Sequence, residues 1–178
     1  MDKQELRKMI RGIKRRHSIE ELLSMSRRTA NLLLAKIKEE DCYNTILLYY
    51  SLPDEIDTHE LISTLRSLGK TILLPTVVGD ELELHQYLNE QELSTSSTFG
   101  IQESTGPLFT DYSRIDLAII PGVAFTPAGI RLGRGKGYYD RLLPKLQCPL
   151  IGVAFPFQIM DWLPCEEHDV CMTQVISV

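Results

Sequence analysis

The stretch Asp116-Leu117-Ala118-Ile119-Ile120-Pro121-Gly122 decides the fold. Four apolar residues in succession, with no polar alternation, describe a strand buried on both faces, as in a parallel sheet covered by helices. Pro121-Gly122 then ends it. The same design recurs outward in both directions. The apolar run 46–50 stops at Ser51-Leu52-Pro53, the run 72–74 at Pro75, and the run 150–155 at Pro156. Between these runs lie helix-like segments, 58–68 following Asp57 and 138–146 following a cluster of glycines. Strands alternating with helices predict an α/β domain with a mostly parallel sheet. Residues 81–88 alternate apolar and polar side chains, which suits a half-exposed edge strand or hairpin. The polar, punctuated segment 89–113 is expected to be loop.

Toward the N-terminus, Leu6, Met9, Ile10 and Ile13 recur at helical spacing. Ser18 with Glu21 forms a capping box ahead of Leu22, Leu23, Leu33, Leu34 and Ile37. Two helices over residues 1–40 are therefore expected to pack on the α/β core. With 178 residues, one domain over 1–178 has room for a sizeable core.

The chain is 43% hydrophobic and 24% charged, an ordinary balance for a folded protein. No apolar run is long enough to span a bilayer, so no membrane partner is expected. The charged N-terminus does not read as a secretory signal, and the cytoplasm is the expected compartment. Cys42, Cys148, Cys165 and Cys171 are widely spaced and read as reduced thiols. A net charge of −5 argues against nucleic-acid binding. The charge is uneven, however. Residues 1–28 hold nine Lys or Arg against four acids, whereas the other 150 hold 10 against 20. Most of those bases read as a solvated helix face; a few are candidates to meet an anionic ligand.

The chemistry concentrates in residues 121–140, which follow a buried strand and lead into a helix. Gly133, Gly135 and Gly137 let the backbone approach a ligand closely. Their N–H groups, with the helix start behind them, can form an anion-binding concavity. Arg131, Arg134 and Lys136 add three cations within six residues, a density suited to a polyphosphate. Gly135-Lys136 precedes Gly137 and not Ser or Thr, so this is no Walker A loop, nor does it match GxGxxG. From these residues alone, a kinase or ligase acting on some small molecule and a non-catalytic nucleotide-binding module both remain open.

The segment 116–140 resembles the signature of the 5-formyltetrahydrofolate cyclo-ligases (methenyltetrahydrofolate synthetases). It has their D-L-hydrophobic-P-G-hydrophobic-A-F run, followed by G-x-R-L-G-x-G-x-G-Y-Y-D. Lys3 and Arg7 match a basic K-x-x-x-R in the first helix. The segment 49–58 carries E-x-D-T, and Phe99-Gly100-Ile101-Gln102-Glu103 fits an F-G-I-x-E turn. Ile151 through Phe155, Gln158, Leu163-Pro164 and His168-Asp169 match the C-terminal block.

The resemblance implies ATP-dependent closure of 5-formyltetrahydrofolate to 5,10-methenyltetrahydrofolate with magnesium. It implies a three-layer α/β/α fold related to ribose-phosphate isomerases and CoA transferases. Lys3 and Arg7 would contact ATP phosphates. Arg131, Leu132, Gly133, Arg134, Gly135, Lys136, Gly137, Tyr138 and Tyr139 would wrap the nucleotide, with Arg134 and Lys136 stabilising the transferring phosphoryl group. Asp140 would hold magnesium, and Tyr50 and Glu55 would line the folate pocket. The expected partner is the folate itself, with or without a polyglutamate tail, and a monomer is expected. One departure stands out: Thr173 occupies a place where relatives often carry an acid near the metal.

Other residues receive plainer readings. Cys165, His168 and Cys171 suggest zinc, but no fourth ligand accompanies them. Asp57 is a natural N-cap for the helix starting near Thr58. His59 and His85 read as structural or exposed, and Trp162 as core. Tyr138 and Tyr139 pack the helix start or reach a ligand; the sequence leaves this even.

Overall fold

The computed structural model describes residues 1–95, 102–167 and 169–178. Helix α1 (Lys3–Lys14) opens the chain with a capping box. Asp2 Oδ1 accepts the N–H groups of Gln4 and Glu5, and Glu5 returns a bond to the Asp2 N–H. Helix α2 (Ile19–Glu39) begins at the expected box, with Ser18 and Glu21 each accepting the other's N–H. Strand β1 (Thr45–Leu47), helix α3 (His59–Ser67), strand β2 (Thr71–Val78) and strand β3 (Glu81–Gln86) follow. Short strands β4 (Leu93–Thr95), β5 (Gln102–Ser104) and β6 (Leu108–Phe109) precede β7 (Leu117–Ile120). Strands β8 (Ala124–Phe125) and β9 (Arg131–Leu132), helix α4 (Tyr138–Leu142), β10 (Leu150–Val153) and β11 (Gln174–Ile176) complete the order.

The main sheet has seven strands in the order β11-β10-β7-β1-β2-β3-β6. Its first five strands are parallel, and β3 and β6 add antiparallel pairings at one side. Because side chains alternate across a strand, consecutive apolar residues serve two cores. Ile46, Leu117 and Ile119 pack with Leu33 and Ile37 of α2 and Leu61 and Leu65 of α3. Leu47, Ala118 and Ile120 face the other way, toward Leu142 and Leu143. This is a mixed α/β fold of three layers, as expected. A third cluster joins Leu6 and Ile10 of α1 to Ala124, Leu132 and Leu163, seating α1 at one end of the sheet.

Several local expectations change. The segment 89–113 holds more regular structure than loop. A 3-10 turn (Glu90–Glu92) leads into β4, which pairs with β5, and β6 covers β3. Strands of two or three residues leave too little periodicity to be read. Of the two expectations for 81–88 the hairpin holds, since β3 pairs antiparallel with β2 up to Val78 and Glu81. But β6 lies outside β3, so β3 is not the edge. The helix expected over 138–146 is a single turn of α-helix followed by a 3-10 turn (Leu143–Lys145), since Pro144 cannot continue it. Strand β11 was not visible in the sequence. Trp162 is 62% exposed and is not a core residue. His85 is structural, with Nδ1 2.8 Å from the Gly106 carbonyl. Asp57 caps α3 from one residue before Thr58, accepting the His59 N–H at 2.9 Å. Phe99, Gly100, Ile101 and His168 lie outside the described residues, so neither the F-G-I turn nor the Cys165-His168-Cys171 set is characterised. No helix among the described residues is long and apolar enough to cross a membrane.

Candidate active site

The chain crosses from β1 to β2 on one side and from β7 to β10 on the other, although β1 and β7 are neighbours. Such a reversal opens a crevice beyond the carboxyl ends of the two strands. Two adjoining cavities lie there. The first, about 180 Å³, is lined by the 131–140 loop, Tyr50, Glu55 and an apolar wall of Pro75, Val77 and Leu82. The second, about 160 Å³, is lined by Arg7, Arg11 and Lys14 of α1 and by Asp54 and Arg134. Tyr49, Glu55, Pro121, Gly122 and Arg134 border both.

Arg134 stands at the junction. Its Nη2 lies 2.7 Å from Glu55 Oε1 and 3.1 Å from Asp54 Oδ1. Glu55 Oε2 accepts the Leu52 N–H at 2.9 Å, so both carboxylate oxygens are engaged. Burial alone would raise the Asp54 pKa, but Lys14 and Arg134 hold it below its usual value. Lys14 Nζ also donates to the Asp54 carbonyl.

The loop itself is braced from behind. Antiparallel pairing of β8 and β9 lifts residues 124–132 into a hairpin, a feature hidden by its two-residue strands. Gln158, buried, donates from Nε2 to the Gly122 and Val123 carbonyls and fixes the exit from β7. Arg131, with its side chain only 6% exposed, reaches Asp140 Oδ1 at 2.5 Å and the Pro121 carbonyl at 3.3 Å. Burial lowers the Arg131 pKa, and Asp140 and Tyr139 oppose that shift. Gly135 (φ +99°) and Gly137 (φ +73°) take the left-handed conformation, which glycine enters freely. A Cβ on Gly135 would fall 3.3 Å from Cζ of Arg7, whose Nε donates to the Gly133 carbonyl at 2.7 Å. Helix α1 thus holds the glycine loop by its edge. Because α4 is one turn long, its dipole adds little, and the loop N–H groups and cations are left to meet an anion.

Of the residues expected at the site, Tyr50, Glu55, Arg131, Gly133, Arg134, Gly135, Lys136, Gly137, Tyr138, Tyr139 and Asp140 share the first cavity. Arg7 enters the second. Leu132 is different: its side chain is buried in the cluster under α1, so only its backbone belongs to the loop. Lys3 lines neither cavity. It pairs with Glu166 at 2.8 Å and Asp169 at 3.4 Å, and the Glu166 bond raises its pKa. Burial pushes the Tyr139 phenol above its ordinary range, so it stays protonated. The Tyr50 ring stacks on His59 at 4.0 Å. Thr173 is occupied elsewhere: its Oγ1 accepts the Leu150 N–H at 2.9 Å. Sequence reasoning gave Arg11, Lys14, Asp54 and Glu103 no individual role at the site. The i, i+4, i+7 spacing of Arg7, Arg11 and Lys14 on one helix face was a usable signal for the two bases. Asp54 had none, and Glu103 stood only as the last residue of the F-G-I-x-E match.

Magnesium is a hard cation that takes one or two protein carboxylates and completes its shell with phosphate and water. Among the described residues, no group of three His, Cys, Asp or Glu side chains could hold a metal. Asp140 is the carboxylate on the loop wall of the first cavity, 46% exposed, with only Oδ1 engaged by Arg131. A cation carried mainly by nucleotide phosphates fits this set.

The model of the 5-formyltetrahydrofolate cyclo-ligase family matches residues 1–178. The chain belongs to that family. A cyclo-ligase from Mycoplasma pneumoniae is 30% identical over 180 residues, covering 99% of both chains. The Escherichia coli cyclo-ligase is 34% identical over 143 residues, 75% of this chain and 78% of that one. Among solved structures, the 5,10-methenyltetrahydrofolate synthetase of Aquifex aeolicus superposes with a TM-score of 0.83 at 31% identity, covering 99% of this chain and 89% of that one. The Mycoplasma pneumoniae synthetase gives 0.82 at 29% identity, covering 99% of each. The cyclo-ligase fold is therefore present along the whole chain.

Proposed function

We propose that this cyclo-ligase converts 5-formyltetrahydrofolate to 5,10-methenyltetrahydrofolate at the expense of ATP, with magnesium, releasing ADP and phosphate. The observation that carries the reading is the Arg134–Glu55 contact at 2.7 Å. It joins a glycine loop suited to a polyphosphate to an apolar-walled cavity suited to a flat ring. Two ligands can then meet at one border.

A formamide is a poor electrophile, because nitrogen donates into its carbonyl and oxide leaves badly. The formyl oxygen attacks the γ-phosphorus of ATP, and ADP departs. Nitrogen 10 of the folate then adds to the activated formyl carbon and loses its proton. The carbon–oxygen bond breaks, and phosphate leaves with the former formyl oxygen. No covalent nucleophile on the protein is required. The chain positions two ligands and stabilises charge on the transferring group. Arg134 and Lys136 stand on the loop that would cover the γ-phosphoryl group, and Arg7 braces it. Lys3 belongs to the nucleotide site only if it exchanges Glu166 for phosphate. Asp140 would hold magnesium, which supplies charge neutralisation between phosphate oxygens. Glu55 and Tyr50 would contact the folate. The chain would act as a single-domain monomer in the cytoplasm.

The test is direct. Purified protein should produce the methenyl absorbance from 5-formyltetrahydrofolate only when ATP and magnesium are both supplied. A folded sample that stays silent under those conditions would overturn the reading.

A further inference from the structure

We propose that Glu103 is a specificity-determining residue of the first cavity, accepting hydrogen bonds from ring N–H donors of the substrate. The inference rests on the folate reading above and deepens it. Glu103 lies on β5, is only 8% exposed, and lines the cavity on the same side as Pro75, Val77 and Leu82. Its Oε1 accepts the Val77 N–H at 2.9 Å. Among the described residues no donor meets Oε2, and the cavity that Glu103 lines is the space open to a partner for it.

A carboxylate withdrawn from water with one oxygen unmatched is costly, and buried polar groups almost always have a partner. Here the missing partner has a natural source. The wall around Glu103 is apolar and suits the faces of a flat heterocycle, while an acceptor in such a wall suits a donor on its edge. The tetrahydropterin ring carries adjacent donors, the ring N–H and the exocyclic amino group. Glu55 is less free to take that part. Leu52 and Arg134 already occupy its two oxygens, so it must give up a partner before reaching a ring. Glu103 needs no such exchange. The two acids then divide the work: Glu103 reads the edge of the ring, and Glu55 stands where the folate approaches Arg134.

Steady-state kinetics on the full-length enzyme test this. Glu103→Ala should raise KM for 5-formyltetrahydrofolate about tenfold or more, because an unmet ring donor is left in a closed site. KM for ATP should stay within about twofold of wild type. Glu103→Gln guards against misfolding, since its amide oxygen can still accept from Val77 while its NH₂ faces the ring donors. It should fold normally and raise folate KM at least several-fold. A substrate whose 2-amino group is replaced by methyl supplies the readout that a structural role would not move. With it, wild type and Glu103→Ala should differ much less than with the natural folate. Equal losses on both substrates, an equal shift in ATP KM, or unchanged folate KM in Glu103→Gln would each overturn the inference. Wild-type enzyme inert toward folate would instead overturn the functional reading beneath it.

Discussion

Arg134 Nη2 and Glu55 Oε1 lie 2.7 Å apart, although 79 residues separate them in sequence. One residue comes from the glycine loop beyond β7 and the other from the segment beyond β1. The pair is also the border of the two cavities. Each member is therefore held by the other until a ligand competes for it.

Neutralising Glu55 should separate the two ligands. Glu55→Gln is expected to raise KM for 5-formyltetrahydrofolate at least about tenfold, as a charged acceptor is lost in a partly closed site. ATP binding measured without folate should not weaken, because Arg134 loses an anionic competitor. Calorimetry with a non-hydrolysable ATP analogue checks this. A defect confined to the nucleotide would contradict it.

Removing a cation from the loop should act on turnover. Arg134→Ala and Lys136→Ala are each expected to lower kcat by on the order of 10²-fold. Single-turnover measurement of ADP release would locate the loss in phosphoryl transfer. Wild-type turnover in both variants would remove the loop from the reaction.

Arg7 and Lys3 should differ, contrary to their equal standing in the sequence. Arg7 touches the loop through the Gly133 carbonyl, whereas Lys3 is paired with Glu166 and Asp169. Arg7→Ala should raise ATP KM strongly. Lys3→Ala should have a smaller effect and should change the melting temperature little, as partly exposed ion pairs contribute little. Separate ATP titrations of the two variants decide the order.

Asp140 and Thr173 provide a matched pair. Asp140→Asn should increase the magnesium concentration needed for half-maximal rate, because it removes the carboxylate on the loop wall. Thr173→Ala should leave the magnesium titration unchanged. It should still cost about 1 kcal/mol of stability by orphaning the Leu150 N–H, a fall of roughly 2–4 °C in Tm. Coincident magnesium titrations for wild type and Asp140→Asn would reject the metal assignment.

The sequence alone determined the parallel core, the two N-terminal helices and the loop at 131–140. Those features are local: continuous apolar runs, helical spacing, capping residues and glycine-interleaved cations act over a few neighbours. The hairpin of β8 and β9 and the strands β4, β5, β6 and β11 are too short to carry a period, and only pairing with distant strands makes them. The same holds at the site. Glu55 was legible beside its strand end, but nothing near it in sequence announced Arg134 as its partner. The Lys3 pairing with Glu166 and Asp169, the exposure of Trp162 and the burial of Glu103 likewise depend on packing between segments far apart in the chain. Side-chain type and spacing are written into a stretch of residues. Which charge meets which, and which acid is withdrawn from water, is decided only when the sheet brings its strand ends together.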